Sequence, residues 1–163
     1  MPTTGKINYS DEGSSPECIV CLHGIGGDEK SFEPQIKELS KIFRVISWNM
    51  PGYNGSVTLE DYSFKNLCLS LDEFLSDLNI KNVTLIGQSI GGMLAQEFYF
   101  RNSSKVKALV LIATTSAFGG KDETFKERFI SARLKPLDEG LAIQDLAKKF
   151  IPEIVGSRAT KFV

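Results

Sequence analysis

The chain has 163 residues, 42% of them hydrophobic and 24% charged, a globular composition with enough apolar side chains for one core. Its formal net charge is -1 and no basic block runs through it, which excludes the electrostatic footprint of a nucleic-acid binder. No apolar run approaches the roughly 18 residues of a membrane span, and the polar start of the chain lacks the apolar stretch of a signal peptide. A cytoplasmic protein with no membrane partner is the expectation.

In chain order, short β-rich runs alternate with longer stretches of helical spacing, the rhythm of an α/β fold. A first strand is expected over residues 6–9, turning at Asp11, Glu12 and Gly13. The run Cys18-Ile19-Val20-Cys21-Leu22 reads as a strand buried on both faces. Two residues separate Cys18 from Cys21, a spacing that also suits metal or redox sites. Alternation along a strand sends the two thiols to opposite faces, however, and no second pair accompanies them. Buried core thiols, with no metal site and no cofactor, are expected.

Phe32, Ile36, Leu39 and Phe43 recur at three- and four-residue spacing and predict a helix over residues 31–43, followed by a strand over 43–48. The segment from Asn49 to Gly55 is loop chemistry, and Thr58 with Asp61 has the spacing of a capping box. The next helix carries its apolar stripe on Phe64, Leu67, Leu71, Phe74 or Leu75, and Leu78. Residues 83–86 then read as a strand, 93–101 as a helix and 106–112 as a further strand. These units predict a mostly parallel sheet with helices on both faces. The strand over 106–112 would be an uncovered apolar edge, a template for pairing, so self-association through it is expected. Beyond Thr114 the pattern changes to helical segments at 123–134 and 137–150, separated by Pro136. The chain thus divides into a core over residues 1–116 and a helical cap or lid over 117–163, expected to be truncated.

Two motifs carry chemistry. Ser89 stands in Gly87-Gln88-Ser89-Ile90-Gly91 directly after a strand. Flanking glycines clear space for a serine held in a strained backbone conformation, and the Ile90 amide then lies at a helix N-terminus, where an oxyanion is stabilised. A tight structural turn without chemistry is the plainer alternative. His23-Gly24-Ile25-Gly26-Gly27 follows the earlier buried strand, and its small residues let the loop backbone approach the serine with the Ile25 amide as a second donor. A phosphate cradle is disfavoured, because neither the Lys-Ser/Thr of a P-loop nor Gly-x-Gly-x-x-Gly is present.

Together these motifs resemble the α/β-hydrolase fold family, over the N-terminal portion of that fold. The resemblance implies a nucleophile at Ser89, an oxyanion hole from Ile25 and Ile90, and supporting loop roles for His23, Gly24, Gly26, Gly27, Gly87, Gln88 and Gly91. The segment from Trp48 to Ser56 is similar to the family's Asp-x-Pro-Gly-x-Gly-x-Ser loop, with Asn49 in place of Asp and Asn54 in place of Gly. The family's later strands normally bring the acid and the histidine. Where some members place the acid earlier, this chain has Thr114-Thr115-Ser116, and Asp122 and Glu123 read as the start of a cap helix. His23, the only histidine, is expected to be structural rather than the base.

A serine in the turn argues against the dehalogenase and epoxide-hydrolase branches, whose nucleophile is a carboxylate. The reading is therefore a hydrolase of a small-molecule carboxylic ester or lactone, nearest the enol-lactonase-like branch, with acid and histidine absent from these 163 residues. Carbon-carbon bond hydrolases and perhydrolases of the family share the same motifs. The alternative is an inactive ligand-binding or regulatory member, or a non-functional fragment. Phe118, Phe125, Phe129, Ile130 and Leu134 would face substrate from the lid or simply pack it.

Overall fold

The computed structural model describes residues 6–119 and 123–154. Five strands, β1 (Tyr9–Glu12), β2 (Cys18–Leu22), β3 (Arg44–Trp48), β4 (Val83–Gln88) and β5 (Val106–Ile112), hydrogen-bond in the order β1-β3-β2-β4-β5. Only β1 runs antiparallel to its neighbour; β3, β2, β4 and β5 are parallel. The registers pair Cys21 with Ser47 and Leu22 with Gly87, so the parallel strands end at one edge. The loops that follow β2, β3 and β4 are gathered there, the edge at which open α/β sheets bind ligands.

Helices cover both faces. Strand β2 sends Cys18, Val20 and Leu22 into a cluster with residues of α2 (Phe64–Asp77) and α3 (Ile90–Arg101). It sends Ile19 and Cys21 to the opposite face, where Phe32 and Ile36 of the turn and helix α1 (Glu33–Leu39) pack with Val45. Cys18 and Cys21 therefore occupy separate clusters, as strand alternation requires. Burial pushes both thiols up, Cys18 to about 11 and Cys21 to about 12, which keeps them protonated and unreactive.

Several boundaries differ from the sequence expectation for identifiable reasons. The first strand runs over Tyr9–Glu12 rather than residues 6–9, because these residues pair with Val45 to Trp48 of β3 at the sheet edge. Helix α1 is shorter than the apolar spacing implied: Asp28 and Ser31 form a reciprocal cap over a short 3₁₀ turn first. The cap of α2 is Ser63, whose hydroxyl accepts from the Asn66 amide, not Thr58. Helix α3 starts at Ile90 rather than Met93, so Gly91 and Gly92 are helical despite poor propensity. Strand β5 spans the expected residues and forms one sheet edge, with Val110, Leu111 and Ile112 each at least 40% exposed.

The chain divides into two compact units, residues 1–116 and 117–163. The second holds α4 (Glu123–Asp138) and α5 (Ile143–Ile154). Pro136 lies in the last turn of α4 rather than ending it, and removes only the one ladder bond its own amide would have made. Phe118, Phe125 and Phe129 cluster with ring centroids 4.6–6.1 Å apart, and the Arg133 guanidinium lies 3.3 Å over the Phe129 ring. Asp122 lies outside the described residues.

Leu71 is fully buried in the cluster between α2 and the sheet, whereas Leu69 one turn face away is 53% exposed. Leu71→Ala should cost about 2–5 kcal/mol in urea unfolding through lost apolar contact and a residual cavity. Leu69→Ala should change stability by less than about 0.5 kcal/mol.

Candidate active site

Ser89 stands between β4 and α3 with φ 53° and ψ -120°, a left-handed backbone that an L residue adopts at a cost of about 1–3 kcal/mol. The turn is held by backbone bonds on both sides. The Ser89 amide donates to Ile112 O at 3.0 Å, and the Ser89 carbonyl accepts from the amides of Gly92 and Met93 at 3.0 and 3.1 Å. Thr114 Oγ1 donates to the same carbonyl at 2.6 Å, and Gln96 Nε2 bridges the carbonyls of Gly92 and Thr115, both at 3.1 Å.

The glycines are required by space rather than by flexibility. A Cβ on Gly87 would lie 2.5 Å from Gly91 O, and one on Gly91 would lie 2.1 Å from Leu22 O. Those contacts are with backbone, which cannot yield by rotating. The first turn of α3 thus lies directly against the ends of β2 and β4, and Ser89 is presented, exposed, on that edge. Gln88, the last residue of β4, is also exposed.

The loop after β2 approaches from the other side. A Cβ on Gly24 would be 3.3 Å from Ser89 Cβ, so the two loops are in direct proximity. Gly27 N–H closes a turn on Gly24 O at 3.1 Å, with Gly26 at φ 77°, the third-residue conformation of a type II turn. Ile25 occupies the second position. Among the described residues, neither the Ile25 nor the Ile90 amide has a backbone acceptor outside regular structure, and Ile90 is the first residue of its helix. Both N–H groups are therefore available at one edge of the sheet.

His23 is 1% exposed, and both of its ring nitrogens are committed. Nε2 accepts from the Met50 amide at 3.0 Å, which fixes the proton on Nδ1, and Nδ1 donates to Gly24 O at 2.8 Å. Tyr53 packs edge-on against the ring at 4.9 Å. No lone pair remains to receive a proton from Ser89. The ring instead ties the glycine-rich loop to the loop after β3.

That second loop shows what the sequence left unread. Glu29 is 4% exposed; its amide donates to Asn49 Oδ1 at 3.0 Å, and Asn54 Nδ2 donates to its carboxylate at 2.8 Å. Burial by itself raises the Glu29 pKa, but the hydrogen bonds from Asn54 and Asn49 and from its own amide outweigh it, so the carboxyl titrates below its ordinary range. The departures at Asn49 and Asn54 marked the loop as unusual, yet nothing in the sequence pointed to Glu29 as their shared partner. Thr114 and Gln96 carried no sequence signal at all.

The profile of the alpha/beta hydrolase fold matches residues 17–148. The chain belongs to that family. It is 32% identical to the pimeloyl-[acyl-carrier protein] methyl ester esterase of Pseudoalteromonas atlantica, over 89% of this chain and 60% of the relative. A carboxylesterase structure from the thaumarchaeon Nitrososphaera gargenis superposes with TM-score 0.73 at 28% identity, covering 82% of this chain and 50% of the other. The enol-lactonase of Burkholderia xenovorans shares the fold, with TM-score 0.79 at 22% identity over 95% of this chain and 58% of that one. The chain thus spans between half and three fifths of the length of these proteins. Among the described residues, no helix is long and apolar enough to cross a membrane.

Burial holds the His23 pKa below its ordinary value near 6.5, against smaller opposing effects from the Gly24 carbonyl, Asp28 and Glu29. The folded state thus disfavours the imidazolium, and the contribution is fully present above pH 6.5 and lost as pH falls from there through the folded pKa. Urea midpoints between about pH 7.5 and 5.5 should decline more steeply for the native chain than for His23→Gln, whose side chain does not titrate.

Proposed function

We propose that this chain carries the nucleophile and oxyanion hole of a serine hydrolase acting on a small-molecule carboxylic ester or lactone. The observation that carries the reading is the convergence of the strained Ser89 turn and the Gly24–Gly27 turn, which brings two unpartnered amides to one edge with an exposed serine. Ser89 Oγ attacks the carbonyl carbon, and the Ile25 and Ile90 amides hold the oxygen as it becomes anionic. Collapse expels the alcohol and leaves an acyl-serine, which water then hydrolyses. The esterases among the relatives support this substrate class, and the enol-lactonase supports the fold alone.

In this reading the proton acceptor is not His23, whose nitrogens are both bound to backbone. His23 is the only histidine of the sequence, so these residues supply the nucleophile and the oxyanion donors without an imidazole base. Residues 1–116 form the catalytic core and residues 117–163 a helical cap of that core. The exposed apolar edge of β5 pairs with another copy of the chain.

A fluorophosphonate probe tests the chemistry directly. Labelling at a single serine, slow for want of an imidazole and lost in a folded Ser89→Ala variant, is the expected outcome. Absence of labelling in the folded native chain would favour a ligand-binding member instead. The 163-residue polypeptide should sediment as an oligomer, and Val110→Lys on the β5 edge should shift it toward monomer; a monodisperse monomer without that substitution would refute edge pairing.

A further inference from the structure

A buried carboxylate outside the proposed catalytic group bridges the glycine-rich loop beside Ser89 and the loop after β3. The Gly24–Asp28 segment leaves β2 at His23 and enters the 3₁₀ turn at Glu29. At its first end, the Met50 amide holds His23 Nε2 at 3.0 Å. At its second end, Asn49 Oδ1 receives the Glu29 amide at 3.0 Å and Asn54 Nδ2 reaches the Glu29 carboxylate at 2.8 Å. Both anchors belong to one loop, the one after β3, and that loop is itself stitched down: Ser56 Oγ donates to Asn49 O at 2.8 Å, and the Asn49 amide donates to Asn8 O at 2.8 Å. Only five residues lie between the anchors, and Ile25 is among them.

The two positions at which this loop departs from the family's pattern, Asn49 and Asn54, are the two that engage Glu29. Asn54 holds φ 43°, a left-handed conformation that glycine adopts without cost. An asparagine there trades backbone strain for a side-chain amide, and that amide is spent on Glu29. A buried charge without such donors would be strongly unfavourable, so the carboxylate and the asparagines require one another.

We propose that Glu29, held by Asn49 and Asn54, is a positioning residue that fixes the far end of the glycine-rich loop and thereby places the Ile25 amide against the oxygen developing at Ser89. This rests on the reading of Ile25 as an oxyanion donor. Glu29 touches no reacting atom; it acts through the five-residue segment whose other end His23 fixes. Loosening one anchor lets the Ile25 N–H drift, and a displacement of about 1 Å at a group that stabilises the transition state is sufficient to slow reaction by one to two orders of magnitude.

The test compares Glu29→Gln and Asn54→Gly with the native full chain, each confirmed folded by circular dichroism. Saturation kinetics of Ser89 phosphonylation give a maximal rate and a half-saturating probe concentration, and ¹⁵N-¹H spectra report the Ile25 amide. Asn54→Gly is the sharper variant, because it relieves the left-handed strain while removing the side-chain amide, and it decides alone if Glu29→Gln does not fold. The expected result is a maximal rate reduced about tenfold with the half-saturating concentration unchanged, and a displaced Ile25 resonance. A purely structural clamp would move neither the rate nor Ile25 in a protein that remains folded. A rate within twofold of native and an unmoved Ile25 resonance in Asn54→Gly would overturn the proposal. If the native chain is not phosphonylated at all, the hydrolase reading fails separately, and the Ile25 resonance alone decides whether Glu29 sets the loop.

Discussion

The left-handed backbone at Ser89 depends on a close approach of two backbones that only glycine permits. The first turn of α3 lies so near the ends of β2 and β4 that a methyl group on Gly91 would sit 2.1 Å from Leu22 O. Everything at this edge follows from that contact. It places the Ile90 amide at the start of a helix, and it leaves Ser89 exposed at that edge. The strain at φ 53° is offset by the bonds around it: the Ile112 carbonyl takes the Ser89 amide, and Thr114 and two helical amides bind the Ser89 carbonyl.

The Ile25 amide, the second donor in the proposed oxyanion hole, is positioned by different means. The one side chain of the Gly24–Gly27 turn, Ile25, is 73% exposed, so packing does not hold the turn in shape. It is fixed instead by polar contacts to the loop after β3, with His23 at one end and Glu29 at the other. Parallel strands make this economical, because β2 and β3 are neighbours whose ends coincide and whose following loops therefore meet. His23 and Glu29 are both hydrogen-bonded, which is what allows an imidazole and a charged carboxylate to lie buried between these loops.

Much of this architecture is legible in the sequence, and the limits are physical. Strands β2 and β4 show as apolar runs because burial on one or both faces demands it, β5 shows as one although most of its side chains stand exposed at the sheet edge, and the opposite placement of Cys18 and Cys21 follows from strand alternation alone. The edge strand β1 is displaced from its expected position because its polar residues owe their conformation to pairing with β3, a partner some forty residues away. Gly91 and Gly92 read as poor helix formers, yet α3 begins before them because the close approach to β2 outweighs propensity. At the site, the motifs around Ser89 and Ile25 are local strings and so are visible. The Thr114 and Gln96 contacts and the Glu29 bridge join residues about 20 to 25 positions apart through single hydrogen bonds, for which no periodicity or spacing exists to be read.

The account stands on two backbone amides from separate loops meeting one oxygen at Ser89. A crystal structure of the full chain carrying a phosphonate adduct on that serine shows this most directly. The account predicts the phosphonyl oxygen within about 2.7–3.1 Å of both the Ile25 and Ile90 nitrogens. An adduct whose oxygen points to solvent, or reaches neither amide, would contradict it.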